Sequence, residues 1–172
     1  MINWLISLFR PARAVESEHP TPHITITDAA LAALRPSLAP KINGRHEGIV
    51  YFIGATDGYS TLITSVFTPE ATTTHGSFDV SSRSMASLVR FAADHGLQVV
   101  GQLHTHPQGA FHSDGDIEGT HIHYPGYVSI VIPNYGVALP DLSGADVLRY
   151  DASQGWQRYP IKDVTVVRSA AS

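Results

Sequence analysis

Three runs of apolar residues, each the length of a strand, constrain the fold of this chain most strongly. They lie at residues 47–54 (EGIVYFIG), 97–103 (LQVVGQL) and 127–133 (YVSIVIP). Near-continuous apolar runs of this length are typical of strands that are buried on both faces. We therefore predict a central sheet that is covered by helices.

Alternation and turn residues predict the other strands. Four further strands are expected at residues 23–27, 59–67, 146–150 and 157–167. The Asp-Gly turn at residues 57–58 predicts that the first apolar run and the strand after it form a hairpin.

Two helices are predicted between the strands. Asp28 can cap a helix over residues 29–38, and residues 41–46 are expected to form a loop. Residues 81–95 suit a second helix with an apolar stripe at Met85, Leu88, Val89 and Ala92. This order of elements predicts an α/β (α+β) domain with three layers, in which helices flank one central mixed sheet.

The 172 residues fit one domain, with a short segment before it. We assign residues 1–22 to an apolar helix and linker, and residues 23–172 to the domain. The helix at residues 1–10 could pack on its own domain, or it could dock on a partner or on a second copy of the chain. It is far shorter than the roughly 20 residues of a membrane span. It also lacks the basic start and cleavage site of a signal peptide, so a cytoplasmic protein is the simplest interpretation.

Charge and composition exclude several classes of function. The net charge is −4 and no cluster of Lys or Arg occurs, which argues against nucleic-acid binding. The chain has no cysteine, so disulfides, cysteine zinc sites and thiol nucleophiles are excluded. Any metal must be bound through His, Asp or Glu.

The segment 101–116 (GQLHTHPQGAFHSDGD) carries the chemistry. His104 and His106 are two residues apart at the end of an apolar strand, so their side chains share one face and could chelate a metal. Ser113 and Asp116 follow with the spacing of a capping box. The start of the same helix could return the Asp116 carboxylate to the two imidazoles.

Three protein ligands with an open fourth position are typical of catalytic zinc, which makes hydroxide available near neutral pH. Such a site needs a base. Glu47 is the candidate, because a carboxylate at the mouth of an apolar strand is costly unless it is paired or functional.

Other interpretations of these residues stay open. The histidine pair could be two polar residues at a strand end, and Asp114 is a rival ligand to Asp116. His112 could line the cleft, although a solvated loop position is expected. A second His-x-His pair is interpreted as surface or rim, at His121 and His123.

The set Glu47, His104-Thr105-His106-Pro107 and Ser113-x-x-Asp116 resembles the JAMM motif of JAB/MPN zinc metalloproteases, in particular the prokaryotic JAB group. The likeness extends over roughly residues 24–167. Six residues separate His106 from Ser113 here, whereas seven are usual in that family.

The resemblance implies a role for each matching residue. His104, His106 and Asp116 would bind one Zn²⁺. Glu47 would act as general base and then pass the proton to the leaving amine, and Ser113 would donate a hydrogen bond to the oxyanion. The family cleaves amide or isopeptide bonds after the C-terminus of ubiquitin or ubiquitin-like proteins.

The expected function is therefore deconjugation or precursor processing of a ubiquitin-like protein, in a bacterial pathway. A peptidase that acts on a sulfur-carrier protein is a second enzymatic option. A non-catalytic MPN-type scaffold is the alternative from another class. The loops at residues 71–78 and 108–112 are expected to form walls of the cleft.

Overall fold

An eight-stranded mixed sheet forms the middle of the protein in the computed structural model, which describes residues 21–120 and 122–168. The strands of the described residues are β1 (His23–Thr27), β2 (Ile49–Thr56), β3 (Ser60–Phe67), β4 (Ala71–Thr73), β5 (Phe78–Val80), β6 (Gln98–Thr105), β7 (Val128–Ile132), β8 (Asp146–Asp151), β9 (Gly155–Arg158) and β10 (Val164–Val167). The sheet order is β10-β1-β3-β2-β6-β7-β8-β9, and β4 and β5 form a separate hairpin. The predicted mixed sheet is confirmed, because β1 runs parallel to β3 and β10, β6 runs parallel to β7, and the other neighbours are antiparallel.

Helices cover the two faces of the sheet. They are α1 (Asp28–Gly44) and α2 (Ser82–Asp94); a third helix, the short α3 (Asp114–Glu118), has no buried residue. The described residues form two hydrophobic cores, and alternate residues of β2 contribute to each. Val50 and Phe52 pack in one core with α1, whereas Tyr51 and Ile53 pack in the other with α2. The expected three-layer arrangement is therefore present, with the sheet between α1 and α2.

Helix α1 is longer than its sequence predicts. It continues through Pro36 and Pro40 to Gly44, so the loop predicted at residues 41–46 is wrong for its first four residues. Leu34 and Leu38 are fully buried on its inner face, and this burial outweighs the helix-breaking tendency of proline. The cap is also one residue earlier than predicted, since the Thr27 Oγ1 accepts a hydrogen bond from the Ala30 N–H.

Two other predictions need correction. Val89 does not belong to the buried stripe of α2: it is 52% exposed, whereas Leu88 and Ala92 are buried. The strand predicted at residues 157–167 is divided into β9 and β10. Pro160, which has no N–H to donate to a neighbouring strand, and the 3-10 turn at Ile161–Asp163 separate the two.

The pairing of β2 with β6 creates the edge that carries the predicted site. These strands are antiparallel and Ile49 lies opposite His104, so the start of β2 is beside the end of β6. Glu47 therefore lies next to the histidine pair. Among the described residues no helix is long and apolar enough to cross a membrane. The segment 1–10, with its predicted helix and docking role, lies outside the described residues.

Candidate metal centre

Two histidines reach the edge of the sheet from β6. His104 is the next-to-last residue of the strand, and His106 follows its end. The residue between them is tied to the start of β2: the Thr105 Oγ1 accepts from the Gly48 N–H at 2.9 Å, and the Thr105 N–H donates to the Gly48 carbonyl at 3.0 Å. These two bonds fix the histidines relative to Glu47.

Asp116 approaches the histidines from the first turn of α3. Ser113 caps this helix, since its Oγ accepts from the Asp116 N–H at 3.2 Å, while the Asp116 carboxylate accepts from the Ser113 N–H at 2.7 Å. The predicted capping box is confirmed. The Ser113 Oγ also donates to this carboxylate at 2.7 Å. The Asp116 side chain is thereby held toward β6.

The three predicted ligands converge. The Nε2 atoms of His104 and His106 are 3.2 Å apart. The Asp116 Oδ1 lies 3.1 Å from the His104 Nε2, and the Asp116 Oδ2 lies 3.4 Å from the His106 Nε2. Two atoms bound to one tetrahedral ion at about 2.0–2.1 Å would lie about 3.3–3.4 Å apart. The observed spacing fits such an ion. Among the described residues, these three form a group that could hold a metal.

Burial and hydrogen bonding set the charges in this group. Burial lowers the pKa of His104, so its imidazole favours the neutral form that binds metals. Burial acts to raise the pKa of Asp116, but hydrogen bonds from His104 and His106 outweigh it and hold that pKa well below its ordinary value. The hydrogen bond to Asp116 raises the pKa of His106. The group therefore combines a carboxylate that favours its ionised form with two imidazoles.

Glu47 lies in a cleft of about 600 Å³ that opens beside the ligands. His106, Ser113 and Asp116 line the same cleft. Glu47 is only 6% exposed, and burial raises the pKa of its carboxyl while the charge of His106 opposes the rise. Four of the five predicted site residues therefore line one cavity, and the fifth, the buried His104, lies directly behind His106 and Asp116.

Each predicted wall segment lines the cleft in part, and the first is a hairpin of two short strands and not the loop expected at residues 71–78. The first wall is the hairpin of β4 and β5, from which residues 76–80 line the cleft. The second comes from residues 107–109 and Phe111. Phe111 is 53% exposed, and its ring lies against that of His106 with centroids 5.0 Å apart.

The other candidate residues lie outside the ligand group. Asp114 is exposed and is not part of it. His123 is exposed, as predicted, and its ring packs against Tyr150. His121 lies outside the described residues.

His112 differs from its prediction as a solvated loop residue, because its side chain is only 3% exposed. Its Nδ1 lies 2.9 Å from the Asp146 carboxylate, and its Nε2 lies 2.9 Å from the Ser129 Oγ. The signal in the sequence is weak: Ser129 is a polar residue inside the apolar run at 127–133. A buried polar residue needs a partner, but only the fold identifies His112 as that partner.

Comparisons with known proteins support the fold alone. No protein-family model and no curated protein matches the chain. A solution structure from Desulfitobacterium hafniense matches with a TM-score of 0.60 and 15% identity, covering 85% of this chain and 92% of that one. A solution structure from Salinibacter ruber matches with a TM-score of 0.54 and 17% identity, covering 86% and 92%. The chain therefore shares its α+β architecture with these two bacterial proteins.

Proposed function

We propose that this protein is a zinc-dependent peptidase of the JAMM kind, with a JAB/MPN-type fold. It hydrolyses the amide or isopeptide bond after the C-terminus of a ubiquitin-like protein. The observation that supports this most directly is the convergence of His104, His106 and Asp116 within 3.1–3.4 Å, beside a cleft that contains a buried carboxylate.

His104, His106 and Asp116 would hold the zinc. Bound there, zinc supplies Lewis acidity, which polarises a substrate carbonyl and makes hydroxide available near neutral pH. The set is mixed N and O, which suits zinc, and it leaves space toward the cleft for a substrate.

Glu47 is the proposed general base. Its carboxylate takes a proton from the attacking water and passes it to the nitrogen of the leaving amine, so that one group serves both halves of the reaction. Burial raises the pKa of Glu47. This direction suits a carboxylate that must carry a proton during part of the cycle.

Ser113 is the proposed donor to the oxyanion of the tetrahedral intermediate. Its Oγ proton is directed at Asp116 in this structure, so the hydroxyl must rotate to serve a substrate. Rotation of the hydroxyl does not involve the Ser113 N–H, which donates separately to the Asp116 carboxylate at 2.7 Å. Once rotated, the hydroxyl can donate a hydrogen bond that stabilises the negative charge developing on the substrate oxygen.

The test combines metal content with cleavage. Elemental analysis of the purified protein should find about one zinc per chain. The zinc-loaded protein should release a C-terminal extension from a ubiquitin-like protein, detected by mass spectrometry, and Glu47→Gln is the inactive control. Zinc binding without cleavage of any ubiquitin-like fusion would contradict the substrate class. Absence of zinc after reconstitution would favour a non-catalytic scaffold.

A further inference from the structure

Six residues separate His106 from Ser113, and the last of them is anchored deep in the fold. The His112 N–H donates to the Asp146 carboxylate at 3.0 Å, and its ring Nδ1 lies 2.9 Å from the same oxygen. Its Nε2 lies 2.9 Å from the Ser129 Oγ. The loop that carries Ser113 is thus attached to two neighbouring strands, β7 and β8.

The partners define the hydrogen-bonding state of His112. A carboxylate only accepts hydrogen bonds, so the ring Nδ1 donates to Asp146, and the Nε2 of the neutral ring accepts from the Ser129 hydroxyl. Ser129 is 1% exposed. Although Ser129, His112 and Asp146 are hydrogen-bonded in the same Ser–His–Asp arrangement as a serine-hydrolase triad, this burial closes Ser129 to any substrate. The group is therefore an anchor.

The ring of His104 depends on its neighbours for orientation. Its Nδ1 is buried without a hydrogen-bond partner among the described residues. A histidine that binds a metal usually donates this second ring N–H to a fixed acceptor. Here rings surround His104 instead: Phe78 at 5.2 Å, and His112 edge-on at 6.0 Å with an interplanar angle of 89°.

We propose that His112 is a positioning residue for the metal centre, which holds the His104 ring and the turn at residues 113–116 in the arrangement that binds the metal. Its ring limits the rotation of His104 on one side. Its bonds to Asp146 and Ser129 fix the residue next to Ser113, and through the capping box they fix Asp116. This inference rests on the proposed metal centre.

The test measures zinc affinity by competition with a chelator, together with the visible spectrum of the Co²⁺-loaded protein. His112→Ala should weaken zinc binding about 10–100-fold, the usual effect of removing a group that orients a ligand. It should also alter the Co²⁺ bands. Ser129→Ala removes one anchor bond but keeps the ring, so it should weaken binding less. Ser129→Ala also keeps the test valid if His112→Ala fails to fold.

Thr61→Val is the matched control. It removes a buried hydrogen bond, from the Thr61 Oγ1 to the Gly126 carbonyl at 2.6 Å, at the opposite end of the sheet. It should lower the melting temperature of the metal-free protein without changing zinc affinity. If both His112→Ala and Ser129→Ala keep the wild-type zinc affinity and Co²⁺ bands, the positioning role of His112 is overturned, whereas the proposed function is not. A wild-type protein that binds no zinc would overturn the proposed function as well.

Discussion

The backbone N–H of Glu47 donates a hydrogen bond to the carbonyl oxygen of Thr74 at 2.8 Å. Thr74 follows β4, in the hairpin that forms one wall of the cleft. The main chain of the proposed base is thereby attached both to this wall and, through Gly48, to the end of β6. Its position does not depend on the charge of its side chain.

Glu47→Gln should therefore keep the fold and the zinc while it abolishes turnover. The amide has nearly the shape of the carboxylate but cannot take a proton from water, and a lost general base typically lowers kcat about 10²–10⁴-fold. The check is kcat on a peptide substrate beside zinc content. Loss of zinc in this variant would show that Glu47 is a ligand, contrary to the assigned role.

His104→Ala should lose both zinc and activity, because two ligands that remain cannot form the three-ligand site. His95→Ala is the matched control: that histidine is exposed at the end of α2, and among the described residues it belongs to no group that could hold a metal. The measurement is metal per chain by elemental analysis after dialysis. Stoichiometric zinc in His104→Ala would rule out this site.

The parts of the site that were predictable come from local patterns. The apolar run ahead of His104 predicts a buried strand, and period-two alternation predicts that His104 and His106 share a face. The Ser-x-x-Asp spacing predicts the capping box that directs Asp116. Each of these signals lies within a few residues, so it can be identified without knowing how the strands pair. The roles of these residues in binding metal stay predictions.

The remaining parts depend on contacts between distant segments. His112 contacts Asp146 across 34 positions and Ser129 across 17, and no local spacing indicates either contact. The sequence predicts too short a helix α1 for the same reason: its prolines predict an end, while burial of Leu34 and Leu38 against the sheet extends it. Tertiary burial outweighs local propensity in such cases.

Phe111 is the residue of the cleft rim for which we expect an effect on substrate binding. It is exposed beside His106, where the C-terminal segment of the proposed ubiquitin-like substrate would cover it. Loss of an aromatic contact worth about 1 kcal/mol should raise KM about fivefold in Phe111→Ala, with little change in kcat or zinc content. Val89→Ala, which truncates an equally exposed apolar side chain on α2, is the control. Unchanged KM would exclude Phe111 from the substrate path.

Tyr127 offers a test of the core that is independent of the metal. It is fully buried, and its hydroxyl has no hydrogen-bond partner among the described residues. A buried hydroxyl without a partner costs about 1–3 kcal/mol. Tyr127→Phe should therefore increase the free energy of unfolding by roughly 1 kcal/mol.

Tyr124 supplies the opposite case in the same aromatic cluster. Its ring lies 5.9 Å from that of Tyr127, but its hydroxyl donates to the Val99 carbonyl at 3.0 Å. Tyr124→Phe removes a satisfied bond and should decrease the free energy of unfolding by about 1 kcal/mol. Urea denaturation of both variants, with equal m-values, measures the difference. If both substitutions destabilise equally, the Tyr127 hydroxyl has a partner in solution and the packing around it differs from this description.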